Sequence, residues 1–430
     1  MCGAAASSSR TSRDQVTTAF DFFDLDVFAQ GTPHAALARL RAEEPVSWHR
    51  LVSGKRDDGF WLVARHADIC AIAKTPDIFY SHGGSVLVDA PGSTAPPHLK
   101  MVRDGFCHLD APEHTVLRKL SAPLFASRGL KAMEGTIRDR AREAIDAAIA
   151  AGDIDLVADL AVRYPSTVVY RDLLDLPVEK LERVVRWADL FIRAPAVPPT
   201  DREFSAMIRQ ADTELKAMHA FALDIVRQRR EAPKRDVLSV LAQAKLADGS
   251  ALSEDQLISY FWSFVTGAYD TTASTIAGGI AALSDFPEQH ARLAADPALV
   301  PSAVEEMLRW VTPVIYFRRT AREDHEIGGQ LIRKGQRVAM CYAAANRDPA
   351  VFTDPDTFDI ARTPNDHLSF GYGTHFCLGA HLARIELRIL FEEILARGIW
   401  FAPRGPVTRA RSNFINRIVA MPVRVTSASK

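Results

Sequence analysis

The sequence of 430 residues is poor in cysteine, and its five cysteines (Cys2, Cys70, Cys107, Cys341 and Cys377) show no CxxC spacing. A dispersed, odd set of thiols argues against a disulfide framework and reads as reduced cysteine in a cytoplasmic protein. Charge of one sign is also lacking: 52 Lys plus Arg stand against 53 Asp plus Glu, a net charge of -1. That balance gives no support to a nucleic-acid or anionic-membrane surface. The N-terminal MCGAAASSSRTSRDQ has no apolar run of the kind a signal peptide or membrane anchor needs, so residues 1–18 read as a disordered tail. A GxGxxG dinucleotide fingerprint is missing too. No internal repeat or linker divides the remainder, and residues 19–430 read as one domain.

What is present is mainly helical, with small sheets. PVSWHRLVSGKRDDGFWLVAR suggests two short strands around a Gly/Asp turn. Residues 82–104 are rich in Gly, Pro and Ser and read as a long loop. The pattern from 113 to 245 is helical, broken at RAPAVPPT (193–200) by its prolines. Ser253 and Gln256 have capping-box spacing, and a helical pattern then runs on to Asp285-Phe286-Pro287. This helix is apolar nearly all round, yet Asp270 lies at its centre, which suits a helix buried in a protein core better than one in a bilayer. Past residue 300 come a short helix, SAVEEMLRW, and hairpin-like segments, VIYFRRTA and EIGGQLIRKGQRVAM.

Near the C-terminus, FGYGTHFCLG (370–379) places Cys377 among Gly371, Gly373 and Gly379, just before apolar positions at helical spacing that end at Gly398. A helix N-terminus favours an anion, so the thiol is expected to lean toward thiolate. Three readings fit: a structural cysteine in a glycine turn, a nucleophile with His375 as base, or a single axial thiolate for a haem iron.

The segment resembles the haem-binding signature of the cytochrome P-450 superfamily, with Phe370, Gly373, His375, Cys377 and Gly379 at the five signature positions. Further motifs extend the resemblance. Glu306 and Arg309 in EEMLRW match the family's ExxR pair, and Arg362 in DPDTFDIAR resembles the arginine that completes the triad. Residues i and i+3 share a helix face, so the first two can join one network. DAPEHTVLR implicates His114 and Arg118 in binding a haem propionate, and Arg319 in FRRTA matches another propionate-binding arginine. Arg318 takes that role if the register is off by one.

The resemblance implies a P-450 fold, a single large helical domain whose long central helix lies over haem b. On that helix, Gly267-Ala268-Tyr269-Asp270-Thr271-Thr272 matches the family's oxygen-binding stretch, with Gly-Ala in place of the common Ala-Gly. Small residues there permit a helix distortion or the close approach of a ligand. A buried carboxylate is costly unless it is hydrogen-bonded or takes part in proton traffic. Alone, such a DTT stretch also fits a kink stabilised by back-bonding threonines. With the cysteine motif, Ala268 is expected at the haem and Asp270 with Thr271 as the acid–alcohol pair of a monooxygenase using O2.

By the same resemblance Cys377 ligates the iron, and Phe370, Gly371, His375 and Gly379 surround the cofactor. Phe264, Tyr269, Val314, Ile315, Tyr316, Phe317 and Phe414 are expected to line an apolar pocket. The implied substrate is a terpenoid, a steroid or a similar hydrophobic molecule. No flavin or iron–sulfur motif is present, so electrons from NAD(P)H are expected through a separate ferredoxin and its reductase, serving a monomer. A peroxide-using or rearranging haem-thiolate enzyme and a non-catalytic haem sensor are the alternatives.

Overall fold

A computed structural model describes residues 20–51, 58–82, 84–87, 97–193 and 204–427. The expected N-terminal tail and the proline-rich break near 194–203 lie outside these residues.

Eight helices organise the part that matters for function: α1 (Pro97–Arg103), α2 (Glu113–Phe125), α3 (Glu134–Ala151), α4 (Leu181–Arg193), α5 (Phe204–Glu231), α6 (Glu254–Asp285), α7 (Val300–Val311) and α8 (Ala380–Ala396). In chain order the strands are β1 (Val46–Arg50), β2 (Gly59–Val63), β3 (Phe79–Tyr80), β4 (Asp153–Asp155), β5 (Tyr316–Ala321), β6 (His325–Ile327), β7 (Gln330–Ile332), β8 (Arg337–Cys341), β9 (Ile399–Pro403), β10 (Thr408–Arg409), β11 (Ile418–Ala420) and β12 (Pro422–Ser427). They form a five-stranded sheet in the order β1-β2-β8-β5-β3, a three-stranded sheet β4-β12-β9, and the pairs β6-β7 and β10-β11. The two strands expected around residue 50 pair antiparallel, from Val46↔Val63 to Arg50↔Gly59. One expectation is corrected: within 82–104, residues Pro97–Arg103 are helical, not loop.

The central helix α6 starts where its capping box lies. Gln256 N–H donates to Ser253 Oγ at 3.1 Å, while the Ser253 N–H donates to Gln256 Oε1 at 2.9 Å. Glu254 and Asp255 in its first turn complement the helix dipole. The helix runs 32 residues, packs against α4, α5 and α7, and buries most of its side chains, including Phe261, Val265, Ile276 and Ile280. Gly278 and Gly279 let α7 approach closely: a Cβ on them would meet Val311 Cγ2 at 2.6 Å and Met307 Sδ at 2.8 Å. No helix among the described residues is long and apolar enough to cross a membrane. α8, which follows the cysteine loop, packs on α3 and α7 and touches α6.

Candidate haem-thiolate site

The loop 370–379 is held by its backbone. The Cys377 N–H donates to the Phe370 carbonyl at 2.8 Å, and Gly371 and Gly373 take φ of 71° and 70°. A Cβ on Gly373 would overlap the Ala73 carbonyl oxygen, so both its conformation and its surroundings demand glycine. Gly379 is the N-cap of α8, with open space where its Cβ would be. Phe370 is half-buried, with the Arg384 guanidinium 4.5 Å from its ring centroid.

Cys377 itself is exposed. Protein surrounds it closely all the same, and burial raises its thiol pKa; the Gly379 N–H, Arg118 and Arg384 only partly offset this. The expected lean toward thiolate is therefore corrected.

Beside the loop stand the expected cationic and imidazole groups. His114, on α2, is buried and stacks with His375 at 4.1 Å and with Phe106 at 5.0 Å. Its Nε2 is buried without a hydrogen-bond partner. His375 Nε2 lies 3.2 Å from Ser81 Oγ. Burial lowers the His114 pKa to about 4 and the His375 pKa to about 2, with Arg118 and Arg319 adding to both effects. Arg118 donates to the Phe376 carbonyl at 2.6 Å. Arg319, on β5, donates to the Arg318 carbonyl at 2.8 Å. Of the two register choices, Arg319 acts on both imidazoles, while Arg318 donates to the Val86 carbonyl (3.3 Å) and Thr320 Oγ1 (3.2 Å).

The middle of α6 leaves a line of small residues uncovered. Gly267 is exposed and Ala268 and Thr271 are half-buried, although this is the centre of a buried helix. A Cβ on Gly267 would meet nothing within 4 Å. The anticipated distortion is absent: α6 is regular α-helix throughout, and the Thr271 hydroxyl donates to the Gly267 carbonyl at 3.1 Å. Close approach of a ligand, the other possibility, fits this geometry.

Asp270 sits on another face of α6 and is 1% exposed. Arg417 Nε lies 3.2 Å from its Oδ1, and its Oδ2 has no partner. Burial pushes its pKa up to about 6, with Arg417 holding it back and Asp189 adding to the rise. Arg417 also pairs with Asp189 at 2.5 Å and donates to Tyr269 Oη at 3.1 Å. Tyr269 is thus drawn into this polar cluster beside α4, two residues and about 200° around the helix from Thr271, and its expected place in the substrate pocket is corrected.

The remaining pocket candidates divide. Phe264 shares a face of α6 with Ala268 and Thr271 and packs against Phe125 at 5.4 Å. Phe317 and Phe414 meet at 5.8 Å, and Val314 bridges to Ile415. Ile315 is buried, its N–H donating to the Phe414 carbonyl at 2.8 Å. Tyr316, on the opposite face of β5 from Phe317, joins an aromatic cluster with Phe22 at 5.4 Å, and its hydroxyl accepts from the Leu87 N–H at 3.3 Å. It is corrected to a core residue.

Glu306 and Arg309 are both fully buried and doubly hydrogen-bonded, each contact 2.7 Å long. Arg362 Nε reaches the same carboxylate at 3.1 Å. The family resemblance pointed to these three, and i,i+3 spacing to the first two. Neither pointed to Arg417, Asp189 or Glu386. Glu386 is buried in α8, where burial holds its carboxyl pKa well above the usual range and Thr272 partly offsets the rise. Asp270 was marked by the family resemblance and by being a charged residue in an apolar run, but nothing local named its partner.

A family model described as Cytochrome P450 matches residues 101–409. A putative cytochrome P450 126 of Mycobacterium tuberculosis is 37% identical, with 88% of this chain and 90% of that protein covered. A linalool 8-monooxygenase of Pseudomonas putida is 35% identical, covering 92% of this chain and 96% of its own. Among solved structures, a Mycobacterium marinum cytochrome P450 in complex with pseudoionone superposes with a TM-score of 0.84 at 36% identity, covering 95% of this chain and all of the other.

Proposed function

The chain belongs to the cytochrome P450 family, and on that premise we propose that it is a haem-thiolate monooxygenase that places one oxygen atom from O2 into a terpenoid or similarly hydrophobic molecule. The observation that carries the reading is the cationic cluster at the cysteine loop: His114, with a buried and unpartnered Nε2, stacks on His375 two residues before Cys377, and Arg118 and Arg319 act on both imidazoles.

The residues fit the cofactor. His114 Nε2 is a buried nitrogen without a partner, and Arg118 and Arg319 spend hydrogen bonds on carbonyls with no carboxylate contact among the described residues. Two propionates would supply the missing anions. Cys377 would ligate the iron, and the bound haem would supply oxygen activation at that iron. The chain's own task is then to hold the substrate dry and bring protons. Phe264, Phe317 and Phe414 present apolar surface for an aliphatic skeleton. Thr271 holds a hydroxyl at the distal wall. Asp270, with a pKa near 6, can hold or release a proton close to neutral pH.

Linalool and pseudoionone, named for two similar proteins, are acyclic and largely apolar, which supports the terpenoid class here. Electrons would come from a separate ferredoxin and reductase, consistent with a cytoplasmic setting. Tyr372 and Phe376 are exposed beside the cysteine loop, with Lys74 over the Tyr372 ring at 5.3 Å, as a docking face for such a partner would need. A carbon monoxide spectrum of the reduced, haem-loaded protein tests the reading. A strongly red-shifted Soret band is expected, and a band at the position of histidine-ligated haem would overturn it. Titration with linalool, pseudoionone and a steroid panel tests the class, which is lost if none shifts the iron to high spin.

A further inference from the structure

A second cavity, about 240 Å³ in volume, lies behind α6. Its lining includes Thr32, His34, Ser274, Gly278, Asp285 and Arg409. Three of these fall on one line with Asp270: residues 270, 274, 278 and 285 are spaced by four, four and seven positions, which is one face of a helix. The line leads from Asp285, which is exposed at the end of α6, to the buried Asp270, roughly 22 Å at 1.5 Å per residue.

The polar groups at the cavity and at Asp270 are unfinished. Asp270 Oδ2 and, in the cavity wall, Thr32 Oγ1 and His34 Nδ1 are buried without a partner, and Ser274 Oγ, close enough to Asp270 to lower its pKa, makes no well-formed hydrogen bond. Such atoms are costly unless water completes them. A polar cavity of this size holds several waters. Ser274 stands between the two: one turn from Asp270 along the helix, and itself part of the cavity wall. Rotation of its side chain between staggered wells moves the hydroxyl between the carboxylate side and the cavity side.

The other approach to Asp270 is closed to protons. It runs through Arg417 to Asp189, whose side chain is 27% exposed, and a guanidinium does not give up its proton. Arg417 can hold the carboxylate but cannot relay to it.

We propose that the cavity behind α6 is a hydrated passage that brings solvent protons to Asp270, with Ser274 as the positioning hydroxyl that joins water to carboxylate. A proton passes from cavity water to Asp270 Oδ2, and the same number leaves toward Thr271 in turnover. The proposal deepens the monooxygenase reading and rests on it.

The test follows hydrogen–deuterium exchange of the protonated Asp270 carboxyl by infrared spectroscopy in the haem-loaded protein near pH 5. The band is assigned by its loss in Asp270→Asn, which separates it from Glu386. Wild type is expected to exchange fastest. Ser274→Ala should slow exchange on the order of tenfold, equivalent to about 1.4 kcal/mol in barrier, and Ser274→Thr should restore it. Ala281→Leu fills the cavity a distance from Asp270 and should slow exchange without moving the midpoint of the band's pH titration. A merely structural effect of either change would move that midpoint instead. Equal exchange rates in wild type, Ser274→Ala and Ala281→Leu overturn the passage. This readout needs no turnover, so its failure leaves the monooxygenase reading standing, whereas loss of the red-shifted carbon monoxide band removes both.

Discussion

Arg309 and Arg362 serve the same carboxylate, yet replacing each with lysine should have very different costs. Arg309 is fully buried and uses every arm: Nε and Nη2 bind Glu306, Nη1 reaches the Asn346 and Pro355 carbonyls at 2.8 and 2.9 Å, and Nη2 also meets the Thr357 carbonyl at 3.1 Å. A lysine keeps one charge and loses the fork. About three buried acceptors are then left short, at roughly 1–1.5 kcal/mol each, so Arg309→Lys should cost about 3–4 kcal/mol. Arg309→Leu removes the charge as well and should cost about 3–5 kcal/mol, the range for breaking a buried pair. Arg362 binds the Thr353, Asp354 and Thr357 carbonyls where water can replace it. Arg362→Lys should therefore cost only about 1 kcal/mol. Guanidinium midpoints read by circular dichroism, with haem retention after gel filtration as a second measure, give the order. Equal midpoints for the two lysine variants would refute the argument from buried acceptors.

Other outcomes follow from the same geometry. Thr271→Ala should leave haem binding intact and divert electrons from NAD(P)H to hydrogen peroxide; unchanged product per electron would remove its assigned role. Gly373→Ala forces a side chain into the Ala73 carbonyl at positive φ, costing at least about 1–2 kcal/mol, and haem retention should fall while Gly398→Ala, with open space, stays milder. The Asp270 pKa is raised from 3.8 to about 6, so the folded state binds more protons than the unfolded one between those values, and stability from this group falls as pH rises through them. Two units correspond to roughly 3 kcal/mol. Asp270→Asn should therefore gain on wild type by about 2 kcal/mol between pH 4.5 and 7, and a pH-independent difference in denaturation midpoints would contradict it.

Local chemistry wrote itself into the sequence wherever a function needs neighbours along the chain. The glycines of 370–379 were legible because Gly371 and Gly373 need positive φ, and Gly373 has no room for a side chain. The Glu306–Arg309 pair was legible because three residues make nearly one helical turn. The start of α6 was legible because Ser253 and Gln256 cap each other.

Only the folded chain decided the rest. The pairing of Asp270 with Arg417 spans 147 positions and has no periodic signature. Tyr269 and Tyr316 look like any pocket aromatics in sequence, and each went to the polar or apolar cluster that could satisfy its hydroxyl. The thiol of Cys377 shows the same division. The motif names the residue, but the balance between burial on one side and two arginines and the Gly379 N–H on the other is a sum over the tertiary structure, and burial raises the thiol pKa. Spacing along the chain determines which groups can act together within one turn or loop. Desolvation and the choice of distant partners depend on packing, which no local pattern encodes.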